Sequence, residues 1–183
     1  GIGTGKSTAA RQLVARGVPV VDTDQLAHQL VEPGQPALAE IQKTFGPAIT
    51  SSAGRLRRDE LARIVFAEAP ARKQLEAILH PRIEAATLAA CEVAGGPYQV
   101  IVVPLLIESG FDRHVDRILV VDCPEDLQRA RLLQRDAGTA EEVERMLAAQ
   151  LQRPERLCRA DDVIANDGGL DMTRIDRGRA GTA

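Results

Sequence analysis

An α/β fold with a doubly wound, mainly parallel sheet and a helical insert is predicted by three observations. Short apolar runs of strand type alternate with amphipathic helices over most of the chain. A glycine-rich loop fragment opens the first helix, as expected where a parallel sheet binds phosphate. Residues 25–95 read almost entirely as helix, with no strand among them, so they form an insert in the alternating pattern.

The first stretch is Gly1, Ile2, Gly3, Thr4, Gly5, Lys6, Ser7, Thr8. Its end fits the phosphate-binding pattern G-x-x-x-x-G-K-[ST], with Gly5, Lys6 and Ser7 in the last three places. Alternate glycines let backbone N–H groups turn inward around an anion, and a helix N-terminus at Ser7 adds its positive end. Lys6 can reach outer phosphates, and the Ser7 hydroxyl suits Mg²⁺. A glycine-rich loop that merely ends in Lys-Ser is the alternative. The pattern's first glycine falls one residue before Gly1 and a strand should precede it, so truncation at the N-terminus, with the first strand missing, is expected.

Gly17 closes the first helix, and residues 18–22 form a strand ending in Asp22-Thr23-Asp24. Helices are expected over 25–31 and 36–45, the latter stopped by Gly46, with a loop over 47–56. Amphipathic patterns follow at 59–66 and 72–79, and Pro81 is expected to restart a helix running to about residue 93. Residues 98–103 and 117–122 are strands, followed by a helix over 124–135. Thr139 to Glu142 is a capping box opening another helix to about residue 150. A last strand spans 162–165, and 170–183 reads as a poorly packed tail.

Composition narrows the function. The 183 residues suit one domain with an inserted subdomain. Hydrophobic content of 44% supplies a core, while 2% aromatics argue against base-stacking platforms and a net charge of -3 against a phosphate-backbone binder. No nucleic-acid partner is expected, and no apolar run is long enough to span a membrane. Three cysteines without C-x-x-C spacing favour neither a zinc site nor a disulfide scaffold, and fit a reducing cytoplasm.

Several side chains are candidates for chemistry. Asp22 and Asp24 stand just past a strand, at the carboxyl edge where ligands bind. A carboxylate there accepts a hydroxyl proton or holds Mg²⁺ through water; alternatively Asp24 only N-caps the next helix. Arg131 and Arg135 share a helix face with i,i+4 spacing, with Gln150 and Arg153 beyond. Convergent arginines suit a transferring phosphoryl group; a solvated basic face paired with Glu141, Glu142 and Glu144 is the other reading. Arg153 before Pro154 fits a mobile turn near a lid. His80, before Pro81 and Arg82, contacts either a substrate phosphate or hydroxyl, or the last helix carbonyls. Leu105 and Glu108 wall a pocket after a strand, or are core.

In order, GIGTGKST, VVDTDQLAHQLVEPGQPAL, LHPRI, VVPLLIESG, LLQRD, LAAQLQR and ADDVIANDG make the chain resemble the dephospho-coenzyme A kinases from Gly1 to about Gly169. The resemblance implies a phosphate-loop core like that of nucleoside monophosphate kinases. It would comprise residues 1–24 and 97–169 with a lid at about 130–155, and a substrate-binding insert at 25–96. It implies transfer of the γ-phosphoryl of ATP to the ribose 3′-hydroxyl of dephospho-coenzyme A, with Mg²⁺, in the cytoplasm, by a monomer or small homo-oligomer. Gly1, Gly3, Thr4, Gly5, Lys6, Ser7 and Thr8 would hold ATP phosphates, with Ser7 and Asp22 near the metal. Asp24 would be the base, and Lys6, Arg131 and Arg135 would stabilise transfer. Arg153, Asn166 and Gly168 would contact the nucleotide; Asp22, His80, Arg82, Leu105 and Glu108 fall on the acceptor side. Another metabolite or nucleotide kinase of the same core, or an inactive truncated nucleotide-binding fragment, is the alternative. Beyond Gly169 the family's amphipathic C-terminal helix is not recognisable.

Overall fold

A computed structural model describes residues 1–136, 139–168 and 174–177. In chain order its elements are α1 (Lys6–Ala15), β1 (Val20–Asp22), α2 (Thr23–Leu30), α3 (Pro36–Phe45), α4 (Arg58–Ala67) and α5 (Ala69–Ala94). Then come β2 (Val100–Val102), β3 (Leu119–Asp122), α6 (Glu125–Asp136), α7 (Ala140–Ala148), α8 (Arg153–Cys158), β4 (Asp162–Ala165) and β5 (Arg174–Arg177). The chain divides into two units, Gly1–Val18 with Val102–Ala183, and Pro19–Ile101. The strand at residues 20–22 therefore groups with the helices after it, some residues earlier than the expected boundary at 24.

In the first unit, β3 and β4 pair in parallel, Leu119 against Asp162 through Asp122 against Ala165. Parallel neighbours need a long crossover, and α6, α7 and α8 fill it. Val121 and Ile164 are buried together with Ala9 of α1, which ties the loop's helix to this ladder. The cap of α7 is the one the sequence encodes: Thr139 Oγ1 accepts from Glu142 N at 3.2 Å, and Glu142 Oε2 accepts from Thr139 N at 2.8 Å.

The tail expectation needs correction at residues 174–177. They form β5, antiparallel to β4, with Ile175 opposite Ile164. A single apolar residue among four offers no period to read, and the backbone ladder of β4 supplies the pairing instead. The remainder of 170–183 lies outside the described residues.

The second unit is held by an apolar cluster of Val31, Ile41, Ile49, Leu61 and Ile78, with Phe45, Leu75 and Leu79 packed around it. Ile49 belongs to a short 3-10 turn inside the expected loop, and Thr50 bridges to Leu56 beyond it. Helices α2, α3 and α4 all contact α5. That packing explains another correction. The expected break at Pro81 is absent, and α5 runs through it for 26 residues. Proline deprives the carbonyl four residues earlier of its donor and ordinarily bends or ends a helix. Here buried Ile78 and Thr87 secure α5 on either side. β1 and β2 are neighbours, with Val100 N donating to Pro19 O at 2.9 Å.

Candidate active site

The glycine-rich loop at the start of the chain is held by side chains distant in sequence. Gln128 of α6, only 2% exposed, donates from Nε2 to Ile2 O at 2.7 Å. Gln150, just past α7, accepts from Ile2 N at 2.9 Å. Asn166, just past β4, donates from Nδ2 to Thr4 O at 2.7 Å. Thr4 is fully buried and its hydroxyl donates to Gly1 O at 2.8 Å. Both polar groups of the Ile2 backbone are thus paired within the protein, which holds the loop in one conformation.

Two glycines are required here for stated reasons. Gly5 has φ of 95°, and a Cβ on it would lie 2.1 Å from Asn166 Nδ2. Gly3 has φ of 71°, and its Cβ would meet Gln128 O at 3.1 Å. Gly5 caps α1 without a side-chain bond, so the first turn is not covered by a capping oxygen. Lys6 Nζ folds over the loop to Gly1 O at 2.6 Å. Ser7 is exposed and Thr8 half-buried at the same helix end.

The arginines of α6 and α8 are in different states. Arg131 Nη1 and Arg156 Nε are buried and have no hydrogen-bond partner among the described residues. Buried donors are rarely left so, and an anion with several acceptor oxygens would satisfy them. Arg129 is different: it pairs with Glu144 at 2.6 Å and approaches Glu125 and Asp126. Of the two readings for this helix, the solvated basic face describes Arg129, whereas Arg131 keeps a buried Nη1 without a partner among the described residues. The side chain of Arg135 lies outside the described residues.

Arg153 is not in a mobile turn. It is the first residue of α8, with Pro154 in the same first turn. Its Nε donates to both carboxylate oxygens of Asp122 at 3.0 and 3.2 Å, and Nη2 donates to Oδ2 at 2.7 Å. These bonds, foremost, raise the Arg153 pKa. Next to Asp122, burial pushes the Cys123 thiol up. A cleft of about 190 Å³ lies here, lined by Gln128, Arg129, Glu144, Gln150, Arg153 and Arg156 among others.

The turn after β2 carries Leu105, 41% exposed, and Glu108. Glu108 Oε1 accepts from Leu151 N at 2.7 Å, while Arg156 Nη1 donates to Leu151 O at 3.0 Å. Leu105 is therefore no core residue, and Glu108 holds the segment between α7 and α8. Gly168 sits exposed in the turn beyond β4.

The remaining candidates belong to the unit of residues 19–101. The cap of α2 is Asp22, not Asp24: Asp22 Oδ1 accepts from Asp24 N at 2.9 Å and Gln25 N at 3.4 Å. Asp24 stands exposed in the first turn. His80 is exposed within α5 rather than at a helix end, which removes its expected bond to terminal carbonyls. Arg82 donates to Ile78 O at 2.6 Å and pairs with Glu40 of α3.

Sequence reasoning missed Gln128, Asp122 and Arg156. Asp122 carried a readable signal, since it ends a strand at the carboxyl edge as Asp22 does. Gln128 and Arg156 carried none, being polar residues on helices whose buried faces are set by long-range contact. Among the described residues no three or more His, Cys, Asp or Glu gather as a metal site.

A family model described as dephospho-CoA kinase matches residues 1–172. A dephospho-CoA kinase of Methylococcus capsulatus is 53% identical over 166 residues, 91% of this chain and 84% of that protein. One from Thiobacillus denitrificans is 52% identical over 175 residues, 95% of this chain and 87% of that protein. Among solved structures, TT1252 from Thermus thermophilus has a TM-score of 0.82 at 34% identity, covering 92% of this chain and 86% of that one. Dephospho-CoA kinase from Campylobacter jejuni has a TM-score of 0.68 at 27% identity, covering 92% and 85%.

Proposed function

The chain belongs to the dephospho-CoA kinase family, and from that premise we propose which of its residues carry the reaction. The family transfers a phosphoryl group from ATP to an alcohol group, the last step of coenzyme A biosynthesis. The alcohol is the ribose 3′-hydroxyl of dephospho-coenzyme A. Gly1 to Thr8 hold the ATP phosphates, with Gln128, Gln150 and Asn166 keeping the loop open. Arg131 and Arg156 are the cations that complete the phosphate site. Lys6 leaves the Gly1 carbonyl for the outer phosphates, and Arg153, Asn166 and Gly168 contact the nucleotide.

Phosphoryl transfer places little covalent demand on the protein and much on charge placement. The observation that carries this reading is the pair of buried guanidinium donor atoms without acceptors in the unit whose loop is braced at Ile2 and Thr4, with Arg156 against Gly1. Mg²⁺ fits the donor chemistry, since it is commonly held by a hydroxyl or one or two carboxylates plus substrate phosphates, not by a cage of side chains. Ser7 would supply the hydroxyl and Asp22 a carboxylate. When bound, the ion neutralises phosphate charge. Asp24 accepts the proton of the attacking hydroxyl, with His80, Arg82 and Leu105 toward the acceptor. Asp22 presents Asp24 through the cap bond from Asp24 N. We place the enzyme in a reducing cytoplasm, as a monomer or small homo-oligomer; Cys91, Cys123 and Cys158 are free thiols.

The test is phosphorylation of dephospho-coenzyme A by wild type and by Asp24→Asn. The substitution should lower turnover on the order of 10²-fold or more with ATP binding kept. Turnover at the wild-type rate would remove Asp24 as base.

A further inference from the structure

We infer that Asp122 is a positioning residue that holds Arg153 for the nucleotide, a role resting on the reading of Arg153 as a nucleotide contact. Asp122 ends β3, and its side chain is only 10% exposed, against 39% for Arg153. A carboxylate at that depth needs a partner, and the strand gives it no freedom to seek another. Arg153 meets it along one edge, through Nε at 3.0 and 3.2 Å and Nη2 at 2.7 Å. A guanidinium has five N–H donors in a rigid plane. Fixing the Nε edge sets the direction of the other edge, which carries Nη1. Arg153 also lines the cleft with Gln128, Gln150 and Arg156. Gln128 and Gln150 are the side chains that hold Ile2 of the loop. One side of Arg153 is thus anchored to a buried carboxylate while the residue faces the cleft next to the loop's own supports.

This arrangement moves the ordering of Arg153 from binding to folding. An unanchored arginine must be ordered by the ligand itself, losing side-chain entropy on binding. An anchored one is already ordered, and losing the carboxylate removes the anchor, while shifting it weakens the bidentate pair. Asp122 touches no reacting atom in this scheme. It acts only through Arg153.

The experiment is a double-mutant cycle read as steady-state kinetics with ATP varied. Arg153→Ala should lower kcat/KM for ATP by on the order of 10²-fold, and Asp122→Asn by about 10-fold to 10²-fold. Asp122→Asn placed on Arg153→Ala should add almost nothing, because its effect runs through the missing guanidinium. Asp122→Glu keeps the charge and should recover part of the loss. It also serves if the asparagine variant does not fold, a point read from its melting curve. Wild-type kinetics in Arg153→Ala would overturn the reading of Arg153 itself. An impaired Arg153→Ala with a wild-type Asp122→Asn, or with fully multiplicative losses in the double variant, would overturn the role of Asp122 alone.

Discussion

The two units use the same residue types to opposite ends. In the unit of residues 19–101, Arg82 bonds Ile78 O on its own helix and pairs with Glu40 of the neighbouring one. Apolar packing around Ile41 and Ile49, both fully buried, makes the fold there. In the other unit, polar side chains reach across 126, 148 and 162 residues of sequence to hold a few loop atoms. Two arginines there, Arg131 and Arg156, keep a buried donor unpaired. The first pairs these polar groups within itself, and the other leaves two buried donors without a partner among the described residues, where we propose that an anion binds. That difference separates stability from activity.

Substitutions should therefore divide between the two readouts. The largest stability loss is expected at Ile41→Ala, about 2–5 kcal/mol for a large-to-small change in a closed core. Denaturant midpoints measure it, and a loss below about 1 kcal/mol would mean the cluster does not organise its unit. Gly5→Ala inverts the pattern. The added Cβ strikes Asn166 at a positive φ, so kcat/KM for ATP should fall by on the order of 10²-fold. A wild-type value would show that the loop has another conformation available. A smaller effect is expected from Thr139→Ala, which removes a cap made within three residues. About 1 kcal/mol of stability should be lost, measured by thermal melting.

The smallest effect is a pH dependence in the same region. The hydrogen bond from Arg129 holds the Glu144 carboxyl below its ordinary value of 4.5. A depressed carboxylate contributes above its unfolded pKa, and the contribution disappears as pH falls through the lower folded value. The pair is exposed, so salt should weaken it. Melting curves between pH 6 and pH 3, compared with Glu144→Gln, isolate this contribution. Identical profiles for the two proteins would mean the tie between α6 and α7 carries no stability.

The contrast also explains what the sequence made legible. The capping box at Thr139 and helix α3 with its Gly46 stop are encoded by neighbours within a few positions, and both form as read. Pro81 is a local signal that fails, because helices α2, α3 and α4 pack along α5 and outweigh one lost hydrogen bond. Strand β5 has no local signal and exists by pairing with β4. The candidate site shows the same limit. Lys6, Arg131 and Asn166 are nominated by motif position, while Gln128 and Arg156 become visible only when the loop is seen against α6 and α8. The Asp22 cap shows how near a miss can be: the right bond type, assigned two residues away.

One variant tests most directly whether the buried donors without partners belong to function rather than to the fold. Arg131→Met removes a guanidinium whose Nη1 is buried without a partner while keeping apolar bulk. A charge kept for a ligand contributes little or nothing to the stability of the free protein. The measurement is kcat for dephospho-coenzyme A phosphorylation beside the melting temperature of the ligand-free protein. The expected result is a loss of on the order of 10²-fold or more in kcat with an unchanged or higher melting temperature. Unchanged kcat with a clearly lower melting temperature would contradict it and make Arg131 a structural residue.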